Sequence, residues 1–235
     1  MISEFGVNEV IFNNFDKTNY YIDTIHFSTP IFNASGCWCI NGEQIIELDN
    51  SKLGGIISKT CTLFSKEGNP EPNYYCDEIN NLHFNCKGLP NNGYNYYRNM
   101  TNHVKKPYIL SISYDDEDKL KTILNDYNLF VKNKSLIEIN ISCPNINNRI
   151  PGYHHEDIDK LCNFLRINSF SNLCFGLKLP PYFEIEFIND LAVALNKYTD
   201  IIKFITVSNS IPYSLPIYKG CNILHLLTFQ TPIFI

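Results

Sequence analysis

Residues 137–145, Ile-Glu-Ile-Asn-Ile-Ser-Cys-Pro-Asn, decide the fold of this chain. Apolar isoleucines alternate with polar side chains at the period of two that is typical of a short β-strand. Pro144 cannot donate to a β ladder, so the strand ends and a loop begins. A thiol, two carboxamides and a hydroxyl therefore meet at the carboxyl end of one strand. In α/β proteins this end of the sheet is where chemistry usually takes place.

Strand-like segments recur on both sides of this stretch, with helical patterns between several of them. The predicted strands are 31–34, 55–59, 108–113, 136–142, 175–179 and 203–208, and the predicted helices are about 116–126, 156–167 and 184–197. Such alternation indicates parallel strands joined by crossover helices. Polar residues follow strand after strand: Ser35, Lys59, Cys143, Asn145, Lys178, Asn209 and Ser210. This regularity favours an α/β barrel with its site on one face, and a doubly wound sheet is the alternative.

A long insertion, residues 60–97, follows the second predicted strand and is rich in Asn, Pro and Gly. Loops of this length inside a compact domain are usually functional lids or binding loops. We therefore expect the insertion to contribute to a binding site.

Composition limits the classes of function. The chain has 235 residues, of which 44% are hydrophobic and 18% charged, which describes a globular protein. Its net charge of -5 offers no basic surface, so a nucleic-acid partner is not expected. Residues 1–16 do not resemble a secretory signal, and the apolar stretch 222–235 is interrupted and too short to span a bilayer. The cysteines show no zinc spacing, so we expect no metal site and reduced thiols in the cytoplasm.

Several motifs, taken together and in chain order, resemble one family. They are Asn33-Ala34-Ser35-Gly36, Ser58-Lys59-Thr60, Lys-Glu-Gly-Asn-Pro-Glu-Pro at 66–72, Gly88-Leu89-Pro90-Asn91, the run 140–145, Gly-Leu-Lys-Leu-Pro-Pro-Tyr-Phe at 176–183, and Ser208-Asn209-Ser210. They resemble the class 1A dihydroorotate dehydrogenases, cytosolic FMN-containing (β/α)8 barrels that oxidise dihydroorotate to orotate with fumarate as acceptor. Cys143 distinguishes the chain from the membrane-bound class, which has Ser there. The Glu-Gly-Asn-Pro segment at 67–70 and the Cys base together favour class 1A over class 1B. Dihydropyrimidine dehydrogenase domains normally have His where Asn145 stands.

The resemblance implies a role for each matching residue. Cys143 is expected to be the general base that takes a proton from C5 of dihydroorotate. The expected substrate-binding residues are Lys59, Asn85, Gly88, Leu89, Asn140, Asn145, Asn209 and Ser210. The expected FMN-binding residues are Ala34, Ser35, Lys59, Thr60, Asn140, Lys178 and Ser208. The family's class 1A members are dimers, which implies a homodimer.

The resemblance stops near Ile211. The family continues with Gly-rich turns that bind the FMN phosphate, and residues 212–235 contain no match to them. We therefore expect an N-terminal extension at 1–19, a barrel portion at 20–211 with about six of eight strands, and a divergent tail at 212–235. The first functional hypothesis is FMN-dependent oxidation of (S)-dihydroorotate to orotate in de novo pyrimidine biosynthesis. The alternatives are a C-terminally truncated, non-catalytic homologue with impaired FMN binding, and an FMN barrel acting on a related pyrimidine.

Overall fold

The computed structural model describes residues 19–143 and 150–212, together with the backbone of two short strands at 217–218 and 221–222. The strands are β1 (Tyr20–Ile22), β2 (Ile25–Phe27), β3 (Ile56–Ile57), β4 (Tyr74–Asp77), β5 (Leu82–Asn85), β6 (Tyr108–Ser113), β7 (Ser135–Asn140), β8 (Leu173–Lys178), β9 (Ile202–Thr206), β10 (Ile217–Tyr218) and β11 (Cys221–Asn222). The helices are α1 (Gly42–Asp49), α2 (Tyr94–Met100), α3 (Glu117–Phe130), α4 (His155–Asn168) and α5 (Ile185–Asn196), with a short 3-10 helix at Pro151–Tyr153.

The centre of the fold is a five-stranded parallel sheet in the order β3-β6-β7-β8-β9. Helices α3, α4 and α5 form the crossovers between β6, β7, β8 and β9. The α/β class, the parallel strands and the three predicted helices are thereby confirmed, and the sheet is an incomplete barrel. No helix in the described part of the chain is long and apolar enough to cross a membrane.

The first two predicted strands are shorter than the sequence pattern indicated. Residues 31–34 contribute one parallel bridge, between Phe32 and Gly55, and 55–59 shortens to β3. The reason is the side chain of Asn33, which replaces part of the backbone ladder. Its Nδ2 donates to the carbonyl of Ile57 at 2.7 Å, and its Oδ1 accepts from the Ile57 N–H at 2.8 Å.

The base of the barrel interior is apolar and closed by the β1–β2 hairpin. Phe27 of this hairpin packs in one cluster with side chains from four central strands, namely Ile57, Ile109, Leu136 and Cys174. On the opposite face of the sheet, a larger cluster joins β6, β7 and β8 to the buried sides of α3, α4 and α5. Both faces of the middle strands are therefore covered, as is usual for parallel sheets.

Polar residues occupy the interior above this apolar base. Ser111, Glu138 and Gly176 are aligned across β6, β7 and β8, and nearer the carboxyl ends Ser113, Asn140 and Lys178 are aligned in the same way. Gly176 is required here because an added Cβ would lie 2.4 Å from the ring of Phe204. The barrel interior thus changes from apolar to polar toward the carboxyl ends of its strands.

The β9 side of the sheet is less covered than the middle. Every residue of β6, β7 and β8 is buried, whereas Ile205 of β9 is 45% exposed and Val207 beyond it is 76% exposed. Helix α5 also exposes apolar side chains, including Ile185 and Val193. Among the described residues, the sheet therefore has an open apolar side at its β9 edge.

The insertion contains secondary structure that the sequence pattern did not predict. Strands β4 and β5 form an antiparallel hairpin, and helix α2 follows it. An antiparallel bridge between Lys66 and Asn91 joins the two ends of this segment. The insertion thus contains regular secondary structure, and its two ends lie next to each other.

Candidate active site

A hydrogen-bonded cluster joins residues at the carboxyl ends of three strand segments. Lys178, at the end of β8, donates from Nζ to Ser35 Oγ at 3.1 Å. Thr60 lies 3.2 Å from the same hydroxyl, within donating distance, and 2.9 Å from Ser111 Oγ on β6. All four side chains are buried. The structure therefore brings together Ser35, Thr60 and Lys178, three residues that the family resemblance implies for FMN binding.

Two carboxamides expected to bind substrate belong to a second group of contacts. Asn140 accepts at Oδ1 from Ser142 Oγ at 2.5 Å and donates from Nδ2 to Thr60 at 3.5 Å. Asn209 donates from Nδ2 to Ser142 Oγ at 2.5 Å and accepts at Oδ1 from the Ser210 N–H at 2.9 Å. Asn140, Asn209 and Ser210 are thereby connected to the Ser35–Thr60–Lys178 group.

Sequence reasoning missed Glu138, which is 0% exposed in the barrel interior. Its carboxylate accepts from Ser111 Oγ and from Thr206 Oγ1, each at 2.7 Å. In the sequence Glu138 is one polar residue in an alternating strand, and its partners come from other strands. The sequence did contain one indication of its role, because Glu138 lies two residues before Asn140 and therefore on the same face of the strand.

Lys59 lies within electrostatic reach of the proposed base. Burial lowers the pKa of Lys59 from its usual 10.5; the positive charge of Lys178 adds to this change, and negative charge on the Cys143 sulfur opposes it. Cys143 is 7% exposed. Burial also raises the pKa of Cys39 to about 12, so this thiol stays protonated beneath the site. Lys178 and Cys143 are therefore close enough to Lys59 to influence its charge.

The insertion presents Gly88 and Leu89 in left-handed backbone conformations, with φ of 72° and 59°. A Cβ at Gly88 would lie 2.6 Å from Asn69 Oδ1, so glycine is required there. Asn91 holds this turn by donating to the Leu89 carbonyl at 2.9 Å. Asn85 ends β5, and its Oδ1 lies 3.5 Å from the Lys87 N–H.

Three further residues were expected at the site, namely Ala34, Ser208 and Asn145. The carbonyl of Ala34 accepts from the Gly36 N–H at 2.7 Å, which shapes the turn beside Ser35. Ser208 is exposed, and its hydroxyl donates to the carbonyl of Asn209 at 3.0 Å. Asn145 lies outside the described residues. Over the described ranges, no group of His, Cys, Asp or Glu is placed to hold a metal ion.

The chain is similar to known proteins over most of its length. Residues 19–218 match the family model described as "Dihydroorotate dehydrogenase". The chain is 34% identical over 192 residues to the dihydroorotate dehydrogenase (fumarate) of Trypanosoma brucei brucei, covering 79% of this chain and 59% of that protein. It is 33% identical over 193 residues to the enzyme of the same name from Trypanosoma cruzi, again covering 79% of this chain and 59% of the relative.

The fold is also similar to that of a solved structure. A crystal structure of ligand-free DHODH from Eimeria tenella superposes with a TM-score of 0.65 at 15% identity, covering 86% of this chain and 63% of that one. This chain thus spans about 60% of the length of the relatives it matches. The family match extends over most of the sequence, and the chain belongs to the dihydroorotate dehydrogenase family.

Proposed function

We propose that this chain, with FMN bound, oxidises (S)-dihydroorotate to orotate in pyrimidine biosynthesis, with fumarate as the electron acceptor. The observation that carries the proposal is the hydrogen-bonded cluster at the carboxyl ends of the strands. Side chains from separate segments of the family's motifs, Ser35, Thr60, Asn140, Lys178 and Asn209, are linked there within one family-type sheet.

The donor set at this rim fits a flavin. Lys178 and Lys59 supply ammonium groups, and Ser35, Thr60 and Asn140 supply neutral donors, which suits the electron-rich ring of a reduced flavin. Ser113 adds a buried hydroxyl for which the described residues provide no hydrogen-bond partner. It lies on β6 two residues beyond Ser111, on the same face of the strand. When bound, FMN supplies the redox chemistry, and the protein supplies alignment and electrostatics.

Cys143 is the proposed base for the proton at C5 of dihydroorotate. A thiol of ordinary pKa about 8.5 accepts a proton efficiently only as the thiolate, and neighbouring cations favour that form. Lys59 provides such a cation. The same ammonium favours binding of the orotate carboxylate, and Asn140 and Asn209 offer amide donors and acceptors to the pyrimidine ring.

The test is a flavin and activity measurement on purified protein. Flavin absorbance gives the bound FMN, and orotate formation is followed with fumarate as the acceptor. Cys143→Ala is expected to lower the rate by about 10²–10⁴-fold, the range of general-base catalysis. Cys162→Ala, which alters a buried thiol in helix α4, is the matched control and is expected to keep its activity. Orotate formation by Cys143→Ala at the wild-type rate would show that the base is wrongly assigned.

The partners implied by the family resemblance belong to the same proposal. We infer a cytoplasmic homodimer that uses dihydroorotate rather than a related pyrimidine. Dihydrouracil and dihydroorotate, assayed side by side, separate the two substrate classes. Sedimentation of the purified protein gives its oligomeric state, and a monomer at working concentration would contradict the dimer.

A second candidate is a non-catalytic homologue with impaired FMN binding. The observation that favours it is the open apolar side at β9, where Ile205 and Val207 are exposed beside α5. An uncovered parallel edge leaves backbone groups and interior side chains accessible to water. Protein that is folded by circular dichroism, yet carries no flavin after saturation with FMN, would support this candidate over the enzyme.

A further inference from the structure

Ser35 lies at the centre of a three-residue turn whose main chain is held at one carbonyl group. The Ala34 carbonyl accepts from the Gly36 N–H at 2.7 Å, which closes the turn. The same carbonyl accepts from Asn33 Nδ2 at 3.0 Å, and its oxygen lies 3.6 Å from the Cys39 sulfur. Burial raises the pKa of Cys39 to about 12, so this thiol keeps the proton that it can donate. Three donors therefore surround the Ala34 carbonyl oxygen.

The orientation of the Asn33 carboxamide is set by strand β3. Its Oδ1 accepts from the Ile57 N–H at 2.8 Å, and one of its two Nδ2 protons is donated to the Ile57 carbonyl at 2.7 Å. A flipped carboxamide would face both main-chain groups of Ile57 with the wrong atom. The second Nδ2 proton is then donated to the Ala34 carbonyl. Asn33 thus connects the sheet directly to the peptide group between Ala34 and Ser35.

This peptide group carries the Ser35 N–H. The peptide bond is trans, so its N–H points away from its carbonyl oxygen, and the donors at Ala34 also fix the direction of the N–H. Within the described ranges, no acceptor is bonded to this N–H. The turn has room beside it, because a Cβ added at Gly36 would meet nothing closer than 4.0 Å. Since the Ser35 side chain contacts Lys178 and Thr60, the N–H belongs to the proposed flavin site.

We propose that Asn33 is a positioning residue that orients the Ser35 N–H for binding to the flavin. The inference rests on the proposed function, in which Ser35 belongs to the FMN site. A main-chain donor that is fixed before binding does not have to be ordered when the ligand arrives, which favours affinity. The electron-rich ring of a reduced flavin is also stabilised by such a fixed donor. Asn33 contacts neither flavin nor substrate in this role.

A purely structural role for Asn33 makes a different prediction. Its carboxamide also replaces part of the ladder to Ile57, so its removal destabilises the fold under either hypothesis. Asn128 offers a matched control, because its Oδ1 accepts from the Asn172 N–H at 2.9 Å. This contact lies just before β8, at the opposite end of that strand from Lys178. If Asn33 were only structural, Asn33→Ala and Asn128→Ala would have the same effect on the flavin site.

The experiment uses the full chain labelled with ¹³C at the alanine carbonyls and ¹⁵N at serine. Ala34–Ser35 is the one Ala-Ser pair in the sequence, so an HNCO spectrum contains a single signal, from this peptide group. Asn33→Ala is expected to move the Ala34 carbonyl signal upfield, because the oxygen loses a donor, whereas Asn128→Ala leaves it in place.

Flavin fluorescence then gives the dissociation constant for FMN. Asn33→Ala should raise this constant about fivefold, the effect of one neutral hydrogen bond, and Asn128→Ala should leave it within about twofold. Urea unfolding of both variants corrects for any difference in global stability.

An unmoved Ala34 signal in Asn33→Ala, or equal FMN affinity in the two variants, would overturn the proposal. If Asn33→Ala does not fold, Asn33→Asp replaces it, because aspartate keeps an acceptor for the Ile57 N–H and at neutral pH has no proton for the Ala34 carbonyl. An unmoved Ala34 signal in Asn33→Asp would count equally against the role. The two measurements also separate this inference from the proposed function. A wild-type chain that binds no FMN contradicts the function, whereas an Ala34 signal that does not respond to Asn33→Ala contradicts the positioning role alone.

Discussion

The ammonium of Lys178 donates to the hydroxyl of Ser35 across 3.1 Å, although the two residues are 143 positions apart in the chain. Both side chains are buried, and this is the hydrogen bond that the described residues provide for the Lys178 ammonium. Ser35→Ala should therefore lower the free energy of unfolding by about 1–3 kcal/mol, because a buried cation loses its acceptor. Urea unfolding measures this, with the exposed Ser171→Ala as control; equal stability of the two variants would refute it.

Gly176 is expected to tolerate no larger residue. An alanine Cβ would lie 2.4 Å from the Phe204 ring, so Gly176→Ala should destabilise the fold by about 1–3 kcal/mol through overpacking. Gly36→Ala is the matched control, because its added Cβ would meet nothing closer than 4.0 Å. Phe204→Leu, combined with Gly176→Ala, should recover part of the loss. Thermal unfolding of all the variants checks these outcomes, and a neutral Gly176→Ala would contradict the packing described.

Lys59 should make the protein less stable at neutral pH than an apolar replacement. Burial lowers its pKa, so between that lowered value and 10.5 the unfolded chain binds the proton more tightly than the folded one. The contribution of Lys59 to the free energy of unfolding therefore rises as the pH increases from its lowered pKa to 10.5. Lys59→Met should be more stable than wild type at pH 7, and the difference should shrink as the pH approaches 10.5.

Urea unfolding at a series of pH values between 7 and 10 measures this difference. Lys121→Met, at an exposed helix position, is the control and should show no such convergence. A Lys59→Met variant that is less stable than wild type at pH 7 would show that the ammonium stabilises the folded chain.

Asn91 is expected to hold the base of the insertion. Its buried side chain accepts from the Thr62 and Gly93 N–H groups at 3.2 and 2.9 Å and donates to the Leu89 carbonyl. Asn91→Ala should cost about 1–3 kcal/mol and increase proteolysis within the insertion, because buried backbone groups lose their partners. Asn80→Ala, at the exposed hairpin turn, is the control. Limited proteolysis with mass spectrometry distinguishes the two, and equal cleavage would argue against the role.

The sequence predicted the elements whose patterns are local. The strand at 108–113 was placed at its observed bounds, and helix α4 lies close to its predicted range. The strand at 31–34 was predicted too long, because the pattern does not show that the Asn33 side chain replaces the ladder to Ile57. The hairpin β4–β5 was missed because its short strands lie in an Asn-rich segment whose composition indicates loop.

The sequence predicted which residues belong to the candidate site better than it predicted the hydrogen bonds between them. Motif residues such as Lys178 and Asn140 could be named from the chain alone. Glu138 could not, because its two partners are contributed by β6 and β9 and only the fold brings them to one carboxylate. Contacts between residues far apart in sequence leave no periodic signal in any one segment.

The hairpin β1–β2 has a consequence for the order of assembly. It is translated before every strand of the central sheet, yet its Phe27 packs against Ile57, Ile109, Leu136 and Cys174. The ribosome must finish β8 before that set of contacts exists, so the earliest hairpin is among the last pieces to dock. Bringing Phe27 together with residues so far away in the sequence costs chain entropy. This step of folding is therefore slow. The apolar side chains at the base of the barrel therefore stay uncovered during most of the synthesis of the chain.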